Sequence, residues 1–167
     1  MPYRRTAAFR TIRYQPALRP MPCSIVDSLH GNAGHALEAT LANFEKALDR
    51  LQDALKNGTQ VFSLLEKEGV IQRFEYSLEL AWKTAKDYLE GTGFLIDPVT
   101  PRQVVKDCVD ARIIADGQIW IDMLNHRNLL SHTYDSAMFE DAVEVIAARY
   151  VLALESLRHY LTREGGK

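Results

Sequence analysis

The sequence predicts an all-α fold, an antiparallel up-and-down helical bundle of four to five helices, and three observations carry that expectation. Apolar residues recur every three or four positions through successive segments, the spacing that lays one stripe along a helix. Glycines, prolines and small polar residues punctuate those segments at intervals suited to short helix connections. Strand-type alternation competes nowhere.

The first stripe is Leu37, Leu41, Phe44, Leu48, Leu51 and Leu55, and Asn57-Gly58 can end its helix. A second runs from Leu64, Leu65, Val70 and Ile71 into Phe74, Leu78, Ala81, Trp82, Ala85 and Leu89, where Gly91-Thr-Gly93 stops it. Gly69 is a candidate break between a short helix and a long one. Thr100-Pro101 reads as an N-cap followed by proline at the first helical position, where the missing N–H is no loss, and that helix should reach about Arg112. Asp116-Gly117 opens the next, with Ile119, Met123 and Leu130 on its stripe. Asp135 or Ser136 can cap a last helix carrying Phe139, Val143, Ile146, Tyr150, Leu154, Leu157 and Leu161.

A length of 167 residues, 47% hydrophobic and 25% charged, fits one globular domain with a sizeable core. No apolar run approaches the roughly 20 residues that span a bilayer, so no membrane role is expected. The formal net charge of −2 excludes a generally basic nucleic-acid binder, so any RNA contact has to be a local patch. Cys23 and Cys108 are too few for a disulfide framework, and a reducing cytoplasm is the default location. Residues 1–35 stand apart. They hold Arg4, Arg5, Arg10, Arg13 and Arg19 against the single acid Asp27, with Pro2, Pro16, Pro20 and Pro22, so neither a long helix nor a core is expected there. A flexible basic extension, or a start placed ahead of a true Met21, is preferred to a transit-type peptide or a nucleic-acid-binding arm. The bundle domain is then 36–167.

The densest chemistry lies in Arg127-Asn-Leu-Leu-Ser-His-Thr-Tyr134. Arg127 carries a permanent forked charge that suits phosphate oxygens. His132 exchanges a proton near neutrality, and Tyr134 adds a hydroxyl that can donate, accept or be modified. On a continuous helix Arg127 and His132 would point about 140° apart, so both can serve one phosphate only if the helix ends near Leu130 or Ser131. Asn128 and Ser131 could orient the imidazole. His126 could add positive charge, although a solvent-facing place suits it better.

The spacing of Arg127, His132 and Tyr134 resembles the R-x(4–6)-H-x-Y signature of HEPN domains, in the form found in nucleotidyltransferase substrate-binding proteins. The run from Gln72 to Glu90, QRFEYSLELAWKTAKDYLE, is similar to a segment of the same group, as are Thr100-Pro-Arg and Asp116-Gly-Gln-Ile-Trp-Ile-Asp-Met. The resemblance covers about Leu41 to Tyr160 and rests on several motifs in the same order. It implies a toxin of a toxin–antitoxin pair, a metal-independent endoribonuclease that works as a homodimer with motifs paired across the interface. Arg127 and His132 would be catalytic. It also implies a minimal nucleotidyltransferase partner that silences the toxin by transferring AMP to Tyr134. The alternative that the resemblance leaves is a non-catalytic substrate-binding subunit of a two-component nucleotidyltransferase.

Elsewhere the expectations are plainer. Glu75 and Glu79 share a helical face, but the Glu-x-x-His partner of a ferritin-like metal site is missing, so an ion pair of Glu79 with Lys83 is expected instead. Trp82 and Trp120 could be stacking platforms for bases, but aromatics at helical spacing are more often core or dimer interface. Asp107, Asp110 and Asp116 show no metal-loop pattern, no Gly-rich phosphate loop occurs, and no cofactor is expected. The chain has no nucleotidyltransferase motif of its own, so AMP transfer would need a partner.

Overall fold

The computed structural model of the chain describes residues 23–56, 58–59, 61–130 and 136–165. Its helices are α1 (Cys23–Leu55), α2 (Leu64–Gly91), α3 (Pro101–Asp110), α4 (Gly117–Leu130), α5 (Ser136–Val145) and α6 (Val151–Gly165). A π-helical turn, Ile146–Tyr150, carries α5 straight into α6, so the described residues form a five-helix bundle without a strand. The expected all-α bundle is what the chain adopts.

Helix α2 is the axis of the packing, touching α1, α3, α4, α5 and α6. Its 28 residues run about 42 Å at 1.5 Å per residue, long enough to meet every other helix. Phe74, Leu78, Ala81, Ala85 and Leu89 turn inward from it, and they meet Phe44, Leu48 and Leu51 of α1 and Leu154, Leu157 and Leu161 of α6 in one core. The predicted stripes of α1, α2 and the last helix are therefore the buried faces, with two exceptions. Leu64 and Leu65 are 51% and 77% exposed, because they fall in the first turn of α2, ahead of Val70 where that helix first reaches the core.

Gly69 does not divide α2. Ser63 caps this helix in a reciprocal box, its Oγ accepting from the Glu66 N–H while Glu66 Oε2 accepts from the Ser63 N–H at 2.8 Å. With the start fixed there and Val70 and Ile71 buried, packing outweighs the roughly 1 kcal/mol that a mid-helix glycine forfeits. Helix α1 also begins earlier than expected, at Cys23. The proline argument against a helix ends at Pro22, and nothing after it interrupts the backbone before Leu55. Residues 1–22 lie outside the described residues.

Capping side chains fix the starts of α3 and α4. Thr100 caps α3 as expected, its Oγ1 accepting from the Gln103 N–H at 3.2 Å with Pro101 in the first turn. Asp116 caps α4, Oδ1 accepting from the N–H groups of Gln118 and Ile119 at 3.0 and 3.3 Å. Between them α3 and α4 come so close that a Cβ on Gly117 would stand 2.8 Å from Val109 Cγ2.

Candidate functional site

Arg127 sits in the last turn of α4, exposed at the lip of a cleft between α2, α3 and α4. The cleft encloses about 170 Å³. Helix α2 contributes Glu75, Leu78, Glu79 and Trp82, the start of α3 contributes Thr100, Pro101 and Arg102, and α4 contributes Leu124, Arg127 and Asn128. The α2 residues follow from helical spacing, since positions 75, 78, 79 and 82 recur every three or four residues and so share a face.

Glu79 organises the α2 wall. Its Oε2 accepts from the Trp82 indole N–H at 3.0 Å, and its Oε1 pairs with Lys83 Nζ at 2.8 Å. The ion pair expected from the sequence is thus present, and it holds the indole as well. Lys83 Nζ also lies 5.7 Å from the Trp82 ring centroid, within cation–π range. Burial alone would push the Glu79 carboxyl up. Hydrogen bonds from Lys83 and Trp82, with the Lys83 and Arg127 charges, more than reverse that and hold it below the usual range. On the facing wall Arg102 donates to Asn125 Oδ1 of α4, joining the start of α3 to the helix that carries Arg127.

Asn128 lines the same cleft and is exposed. Ser131, His132 and Tyr134 lie outside the described residues; α4 ends at Leu130 and α5 begins at Ser136. His126 corrects an expectation. It is half-buried, and its Nδ1 makes a 2.7 Å hydrogen bond with the hydroxyl of Tyr150, the last residue of the π-helical turn. One residue is about 100° on a helix, so His126 turns to the α5–α6 side while Arg127 turns to the cleft. Burial pushes the Tyr150 phenol up, the Asp122 charge adds to that, and Arg149 opposes it.

The two tryptophans divide. Trp120 is core, at 2% exposure, whereas Trp82 is half-buried in the cleft wall. Among the described residues no group of three His, Cys, Asp or Glu side chains could hold a metal ion. Arg102 and Asn125 were not among the sequence candidates. Arg102 belongs to the Thr100-Pro-Arg motif, which marks it only once α3 is seen to start at the cleft.

The cleft lies wholly inside residues 39–163, and those residues match a protein family described as nucleotidyltransferase substrate binding protein like. The chain belongs to this family. A crystal structure of a protein from Thermus thermophilus is similar, with a TM-score of 0.60 and 26% identity over 72% of this chain and 97% of that one. No curated protein matches the sequence. Membership fits the order of motifs along α2, α3 and α4, since the middle of α2, the start of α3 and the last turns of α4 line the cleft. Among the described residues no helix is long and apolar enough to cross a membrane.

Proposed function

We propose that this protein is a HEPN-type toxin, a metal-independent cytoplasmic endoribonuclease that acts as a homodimer and is silenced by a minimal nucleotidyltransferase. The observation that carries the reading is the position of Arg127, at the lip of a cleft formed by three helices and five residues before His132. In RNA cleavage the substrate 2′-oxygen attacks the adjacent phosphorus and loses its proton, the P–O5′ bond breaks, and the departing 5′-oxygen takes a proton. A cyclic phosphate and a 5′-hydroxyl result. His132 serves as the proton carrier, a role that contributes about 10²–10⁴-fold. Arg127 neutralises charge that builds on the non-bridging oxygens. One imidazole cannot stand at both ends of the reaction, and a second subunit supplies the other.

Silencing acts through Tyr134. Its phenol oxygen gives up its proton to a base of the partner and attacks the α-phosphate of ATP held there, pyrophosphate leaves, and the attached AMP puts an intramolecular anion where the RNA phosphate should bind. The family description favours a second reading, in which this chain only holds the substrate of the nucleotidyltransferase. One assay separates them. Unmodified protein is expected to cleave single-stranded RNA in the presence of a chelator, and Arg127→Ala and His132→Ala to lose that activity with unchanged melting temperatures. No cleavage by unmodified wild-type protein would establish the binding subunit instead. The silencing step is read by mass: co-expression with the nucleotidyltransferase should add AMP to wild type and not to Tyr134→Phe.

A further inference from the structure

The lining of the cleft is richer than a phosphate site requires. Leu78, Leu124 and Pro101 make part of it apolar, and Trp82 gives it an aromatic wall. The indole is fixed in place, its N–H committed to Glu79 at 3.0 Å and Glu79 in turn held by Lys83. A ring immobilised in this way offers a flat surface with little entropy left to lose on binding. The volume, about 170 Å³, is well under the roughly 300–1,000 Å³ of pockets that enclose drug-sized ligands, so it suits one flat ring system. Glu75 and Glu79 are acceptors only, which matches ring amino groups and sugar hydroxyls and disfavours additional phosphates. Arg102 and Arg127 bring the donors that a single phosphate needs.

We propose that the α2–α3–α4 cleft is a nucleotide subsite, in which a nucleobase stacks on Trp82 while the phosphate of the same nucleoside monophosphate unit lies on Arg127. This rests on reading Arg127 as a phosphate ligand and adds the base to it. The unit can come from an RNA chain or from the AMP placed on Tyr134.

The chain has two tryptophans, and Trp120 is sealed in the core, so a ligand-dependent change in indole emission reports Trp82. Titration of the unmodified full chain with AMP should quench that emission to saturation. In Trp82→Leu the remaining emission should not respond, and AMP affinity measured by calorimetry should fall about 5- to 150-fold, the range of base–aromatic stacking. Trp82→Phe should keep part of the affinity, and melting temperatures report whether either variant is folded. AMP binding to folded Trp82→Leu at wild-type affinity would overturn the base subsite, as would equal affinities for AMP and ribose 5-phosphate. Failure of the Arg127 reading looks different: Arg127→Ala would then bind AMP as wild type does, while adenosine and AMP quench alike. A 2′-deoxy dinucleotide that displaces AMP assigns the site to a nucleotide chain. A dinucleotide that fails to displace bound AMP assigns it to the adenylate on Tyr134.

Discussion

Replacing Tyr150 by phenylalanine removes one hydroxyl from the core and isolates the tie between α4 and the π-helical turn. Tyr150 is 1% exposed, its ring is stacked on Phe74 with centroids 5.4 Å apart, and its hydroxyl meets His126 Nδ1 at 2.7 Å. Phenylalanine keeps the ring and the stacking, so the loss is that of a hydrogen bond, net about 0.5–1.5 kcal/mol. His126 is half-buried, and its freed nitrogen can turn to water, which puts the expected loss near about 1 kcal/mol. For a chain of this size that is a fall of about 2–4 °C in melting temperature. Tyr150→Ala, which also empties the ring's space, should lose about 3–5 kcal/mol. Urea unfolding of wild type, Tyr150→Phe, His126→Ala and the double variant closes a cycle whose coupling term should equal the Tyr150→Phe loss. Additive single effects, or a Tyr150→Phe midpoint unchanged from wild type, would refute the claim that this bond anchors the helix carrying Arg127.

Two further outcomes follow from burial and close packing. Burial, aided by the Asp107 charge, pushes the Cys108 thiol up to about 12. The unfolded thiol ionises near about 8.5, so the folded state keeps a proton that the unfolded state sheds; this contribution is complete below that pH and is lost as pH rises toward the folded value. Unfolding midpoints at about pH 8 and about pH 10 should therefore fall further for wild type than for Cys108→Ala, with up to about 1.4 kcal/mol at stake per unit; parallel falls would refute it. Gly117→Ala should destabilise by about 1–2 kcal/mol despite alanine's better helix propensity, because its Cβ would meet Val109 Cγ2 at 2.8 Å. Adding Val109→Ala should return part of that loss, and an unchanged melting temperature in the single variant would show that α3 and α4 are not held so close.

The helices are legible because their apolar residues repeat with the period of the backbone itself. Thr100-Pro101 and Asp116-Gly117 mark two helix starts correctly, since a capping side chain acts on backbone groups two or three residues away and needs no tertiary context. Ser63-Leu-Leu-Glu66 carries the same kind of signal for α2 and is overshadowed by the apolar pair inside it. Gly69 misleads for the opposite reason, because a local cost yields to burial of its neighbours that only the assembled bundle reveals. The π-helical turn leaves no mark, as Ile146 and Tyr150 keep ordinary helical spacing in the sequence. At the site, Arg127 and Asn128 stand out by motif, whereas Arg102 reaches the cleft through the packing of α3 on α2 and α4, which no linear spacing encodes.

The charges in the cleft determine what a ligand there must provide. Two carboxylates, Glu75 and Glu79, face two guanidinium groups, Arg102 and Arg127. The Glu79 carboxyl is held below its usual range and so stays ionised at neutral pH, where its field, already answered in part by the paired Lys83 ammonium, offsets part of the attraction that Arg127 exerts. A lone phosphate arriving at Arg127 therefore gains less than it would at an unopposed cation. The missing affinity has to come from contacts that carry no charge, and the surfaces available for them are the pinned indole of Trp82 and the apolar stretch of Leu78, Pro101 and Leu124. A site balanced in this way rejects polyanions that offer only backbone charge, which a broadly basic surface would accept. Under the nucleotide-subsite proposal, that balance would let a chain with a formal net charge of −2 select nucleotides without being a general nucleic-acid binder.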